Sequence, residues 1–100
     1  GENGIGFLDV NLSTINFSDR NSVLTAARTF EDLGVAAYNG AGRLITNPAY
    51  LTLAGKIVSV EARHAAYIRN LLSAGSFADS TVVDPATGLE LSKDPAAVLA

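Results

Sequence analysis

The apolar positions change rhythm along the chain. Over residues 1–18, Ile5, Phe7, Leu8, Val10, Leu12, Ile15 and Phe17 are interleaved with Gly, Asn and Ser in no sustained helical period. That pattern predicts an extended strap or crossover. Ser18 or Asp19 can cap a helix, and residues 21–41, rich in Ala and free of Pro, predict one that loosens or stops near Gly40 and Gly42. Asn47 and Pro48 make an N-cap and first-turn pair, and only Gly55 interrupts the pattern over 49–72, which predicts a second long helix. Gly75 ends it, Asp84-Pro85-Ala86-Thr87-Gly88 predicts a turn, and Asp94-Pro95 starts a short terminal helix. The expectation is an all-α chain: a strap at 1–18, an antiparallel helix hairpin at 19–73, and an extended tail with a short helix at 74–100.

Helical wheels locate the unusual charges. With Glu61 at zero and about 100° per residue, Tyr50, Ala54, Ile57, Val58, Ala65, Ile68 and Leu72 share its side, as does His64. Thr52, Lys56, Ser59, Arg63 and Asn70 lie opposite, on the solvated face. On the first helix Glu31 shares its side with Leu24, Ala27, Gly34, Val35 and Tyr38, while Asp32, about 100° round, reads as solvent-facing. A carboxylate on an apolar face loses its hydration and needs a replacement partner. Glu31 and Glu61 each stand 15 residues from Thr46, so an antiparallel hairpin is expected to bring them to one level. Two carboxylates there repel unless a proton or a cation lies between them. A divalent metal held by Glu31, Glu61 and His64 answers that requirement; a shared proton or a buried Arg28 partner answers it too.

Composition narrows the classes. Of 100 residues, 48 % are apolar and 17 % charged, which excludes intrinsic disorder, and the net charge of −3 argues against nucleic acid as the main partner. Residues 19–72 carry a net charge of +2 and the flanks −5. Without cysteine there is no disulfide scaffold, thiolate site or cysteine nucleophile, so a metal would take His and carboxylate ligands. No apolar stretch approaches the ~20 residues of a transmembrane helix, and no export signal opens the chain. Gly1 and the lack of any Met lead to the expectation of a processed chain or an excerpt of a longer one. No P-loop order and no Gly-x-Ser-x-Gly turn occurs, so neither a nucleotide site nor a Ser-His-Asp triad is expected. Gly34, Gly40, Gly42 and Gly55 read as points of close helix approach or turning.

Three segments carry a resemblance: FEDLGVAAYNGA at 30–41, ITNPAY at 45–50 and VEARHA at 60–65. Over about residues 17–72 the chain resembles the C-terminal half of the ferritin-like domain of desiccation-related proteins, with a weaker echo from Leu91-Ser92 to Val98-Leu99. In ferritin-like di-iron bundles two helices each give one Glu and two give a Glu-x-x-His. The resemblance implies that Glu31 is the lone Glu of a third helix and that Glu61 and His64 are the pair of a fourth. It also makes residues 1–17 the end of a long crossover.

Two helices sharing one stripe cannot bury both apolar surfaces, so a partner is expected. It is either an N-terminal helix hairpin of the same domain or a second copy of the chain, in a homo-oligomer or larger envelope assembly. Oxygen and nitrogen ligands with open positions suit iron or manganese, for redox or metal-sequestering chemistry. The resemblance further implies stress or desiccation protection and an extracytoplasmic location. A non-catalytic envelope module keeping the same fold is the alternative. Tyr38, two turns beyond Glu31, is a candidate hydrogen-bond partner or radical site for the centre, or a core tyrosine; Tyr50 and Tyr67 read as core.

Overall fold

The computed structural model describes residues 9–100; Ile5, Phe7 and Leu8 of the strap lie outside the described residues. Among the described residues the fold is all-α. Helix α1 spans Arg20–Ala41, a 3-10 turn Gly42–Leu44 follows, α2 spans Pro48–Leu72, a second 3-10 turn covers Ser76–Ala78, and α3 spans Pro95–Leu99. A single antiparallel bridge, Val83 to Glu90, is the sole extended pairing among these residues.

Each helix begins where a side chain satisfies an otherwise orphaned backbone N–H. Asp19, not Ser18, caps α1 by accepting from the Asn21 N–H. Asn47 accepts from Ala49 and Tyr50 at the start of α2, with Pro48 at the first helical position. Asp94 accepts from the Ala97 N–H at 2.8 Å. At the end of α1, Gly42 keeps right-handed helical geometry, so the helix runs on into the 3-10 turn.

Helices α1 and α2 pack side by side, and Val35 and Ala65 are the most deeply buried apolar residues of their contact. Beside this seam each helix carries a second apolar stripe. On α2 it runs Leu53, Ile57, Val60, His64, Tyr67, Leu71; on α1 it runs Val23, Ala27, Phe30, Gly34, Ala37, Ala41. Both alternate steps of four and three residues, the spacing of a helix that packs along a further helix. Their large members are exposed: Phe30 by 52 %, Leu53 by 56 % and Tyr67 by 67 %. Tyr50 and Tyr67 are therefore surface residues here, not core, because the apolar arc of α2 is wider than the one seam α1 covers.

The C-terminal segment is a folded arm and not an extended tail. Gly75 takes φ 85°, which reverses the chain after α2, and Gly88 takes φ 71° in the turn that returns it. The arm then lies on α1: the Lys93 N–H donates to the Ala36 carbonyl at 2.9 Å, and the Asn39 amide donates to the Leu91 carbonyl. Gly40 is buried because the arm's backbone passes over it, and a Cβ there would overlap the Lys93 carbonyl.

Arg69, only 8 % exposed, pins the arm to both helices. Its Nε and Nη2 donate to the two oxygens of Asp32 at 3.0 and 2.7 Å, and Nη1 donates to Asp79 on the arm. Asp32 is thus half-buried and ion-paired, correcting its solvent-facing assignment. Side chains lean toward their own helix N-terminus, so in an antiparallel pair Asp32 and Arg69 reach toward each other across a difference in level. Asp32 and Thr81-bonded Asp79 hold the guanidinium charged, with the Asp32 hydrogen bond the chief cause of its raised pKa.

Candidate metal centre

Glu31 comes from the middle of α1, and Glu61 and His64 from successive turns of α2. The structure brings all three to the same stretch of the hairpin. His64 Nδ1 lies 3.2 Å from Glu31 Oε1, within hydrogen-bond distance; the imidazole is 57 % exposed and the carboxylate 26 % exposed. Glu61 lies deeper. Its Oε2 is buried without a hydrogen-bond partner, and its carboxylate rests against Gly34 of α1.

Across the seam Glu31 meets His64, and the Glu61 carboxylate meets Gly34. Glu31 and Glu61 are close enough to be coupled. Burial raises the Glu61 carboxyl above the ordinary carboxylate range, the Glu31 charge raises it further, and His64 partly offsets both.

Arg28 does not fill the gap. It lines the cavity beneath the C-terminal arm with Asp32, Asp79 and Glu90. Tyr38 is half-buried on α1, and no hydrogen bond joins its hydroxyl to Glu31, Glu61 or His64. Lys56 and Arg63 are exposed on the far face of α2. The residue that counting missed is Arg69, whose only sequence signal was a cation at the edge of the apolar arc of α2.

The donor set suits a hard or borderline cation: two carboxylates and one imidazole, with one carboxylate oxygen dry and unpartnered. Among the described residues no three such side chains already stand at full metal-site spacing, and Glu31 and His64 are bonded to each other. The three side chains lie beside the exposed stripe that contains His64.

No curated protein and no solved structure matches the chain. A family model of the ferritin-like domain matches residues 1–74, taking in the strap, both long helices and all three candidate ligands. The helix hairpin is consistent with that match, and the chain belongs to the ferritin-like domain family.

Proposed function

We propose that the chain is a ligand-bearing half of a ferritin-like bundle that holds iron or manganese through Glu31, Glu61 and His64. The observation that carries this reading is the Glu61 carboxylate, buried beside a second carboxylate with Oε2 unpartnered. Such an oxygen costs about 1–3 kcal/mol unless something replaces its lost hydration, and a divalent cation does so while cancelling the repulsion from Glu31. A bound iron or manganese supplies redox chemistry with oxygen or peroxide, or simple sequestration. The chain's own part is to present the donors: α1 fixes Glu31, α2 fixes Glu61 and His64 one turn apart, and the buried Val35 and Ala65 pack the two helices together.

The two exposed heptad stripes support a partner of two further helices, which would cover His64 and complete the shell. In this reading they belong to an N-terminal hairpin of the same domain or to a second copy of the chain. The resemblance of residues 17–72 to desiccation-related proteins adds stress protection outside the cytoplasm. The alternative, a non-catalytic envelope module on the same fold, is favoured by one observation: Glu31 and His64 satisfy each other without any ion. No helix among the described residues is long and apolar enough to cross a membrane.

Elemental analysis of the intact protein beside Glu61→Ala separates the readings. The metal reading expects iron or manganese in the wild type and its loss in the variant. Metal in neither sample sinks it and leaves the structural module.

A further inference from the structure

Three glycines sit inside the long helices; Gly40 makes room for the arm, and the surroundings of the other two differ. Gly55 of α2 faces open space: nothing lies within 4 Å of where its Cβ would be. Gly34 of α1 faces the Glu61 carboxylate. A Cβ on Gly34 would stand 3.0 Å from Glu61 Oε2 and 3.3 Å from both Cδ and Oε1, so the whole carboxyl group lies across the notch. Gly34 has ordinary helical backbone, since among the described residues positive φ occurs only at Gly75 and Gly88. Glycine is the poorest helix former after proline, and nothing in the backbone calls for it here. What it supplies is room, on the same face as Glu31 and one turn further along α1.

We propose that Gly34 is a positioning residue for the metal centre: its missing side chain seats the Glu61 carboxylate in the dry seam beside Glu31 and His64. This rests on the metal reading above and deepens it. A methyl group at Gly34 meets the far end of a flexible side chain, so the carboxylate moves and the helices do not. A shift of a few tenths of an ångström takes the carboxylate off the seat from which it would meet the ion. Gly34 therefore trades helix stability for ligand placement.

The test is titration of the full chain with Mn2+ by calorimetry and with Co2+ by its visible ligand-field bands, for wild type, Gly34→Ala and Gly55→Ala, with helicity followed by circular dichroism. Both variants gain helix propensity, so both melt at or above the wild-type temperature. Gly34→Ala is expected to bind Mn2+ on the order of 10- to 100-fold more weakly, with altered Co2+ bands, as when an outer support of a ligand is lost. Gly55→Ala binds as wild type. Equal binding by Gly34→Ala and wild type overturns the role of Gly34 while the metal reading stands. Loss of helicity in Gly34→Ala overturns it as well, because the glycine would then serve packing. A wild type that binds neither ion defeats the metal reading and this inference together.

Discussion

Replacing Glu61 by Gln should stabilise the metal-free protein. The substitution keeps the side chain's shape while removing a desolvated charge that faces Glu31 and has an unpartnered oxygen. An unsatisfied buried acceptor costs about 1–3 kcal/mol. The amide still leaves one polar atom against Gly34, so roughly half of that is recovered, about 1 kcal/mol. For a chain of this size that raises Tm by about 4–8 °C. The pH dependence follows from the raised Glu61 pKa. The folded state holds the Glu61 proton more tightly than the unfolded chain, so the wild type keeps its full stability below the unfolded carboxylate pKa. It loses that share as pH rises through the raised folded value. Thermal melts in a chelator should therefore show no gap between Gln variant and wild type at acid pH and a gap favouring the variant at neutral pH. Excess Mn2+ should reverse the order, because the wild type alone gains ligand-linked stability. A Gln variant less stable than wild type at neutral pH in chelator would refute the reasoning, since the carboxylate would then be contributing to the fold.

Three further outcomes are expected. Arg69→Ala strands Asp32 half-buried and frees the arm, and should cost about 3 kcal/mol by denaturant titration, whereas Arg63→Ala on the exposed face should stay within about 0.5 kcal/mol of wild type. Gly40→Ala should undock the arm without melting the hairpin, read as loss of hydrogen-exchange protection at the Lys93 amide and faster tryptic cleavage after Lys93. Hydrogen bonds from Thr81, and then the charges of Arg69 and Arg28, hold the Asp79 carboxyl below the ordinary range. Its contribution is present above the unfolded aspartate pKa and is lost as pH falls through the depressed folded value. Protection of the Thr81 and Val82 amides should fade in that acid window and become independent of it in Asp79→Asn.

The helices and their caps were legible because caps and periodicity are local: Asp19, Asn47-Pro48 and Asp94-Pro95 act within one turn of themselves. The three candidate ligands were legible because a charge on an apolar arc is anomalous wherever the arc packs. Counting residues from Thr46 gave no sign that Gly42–Leu44 winds as a 3-10 turn. Arg69 and Asp32 escaped because a wheel gives direction and height at the backbone, whereas long side chains meet by leaning. The docked arm left no periodic signal at all. Its contacts with α1 run through the backbone of Leu91 and Lys93, and a buried glycine such as Gly40 looks in sequence like a helix breaker. The exposed Tyr50 and Tyr67 show that the breadth of an apolar arc reports how many neighbours a helix takes, not which of them this chain supplies.

The central claim, that Glu31, Glu61 and His64 are gathered for a cation, is tested most directly by a crystal structure of the Mn2+-loaded protein with diffraction collected at the manganese absorption edge. The account predicts an anomalous peak bonded to Glu61, with the Glu31–His64 hydrogen bond opened so that both side chains turn to the ion. A map without a peak, in which Glu31 still bonds His64 and Glu61 still rests unpartnered on Gly34, would contradict it.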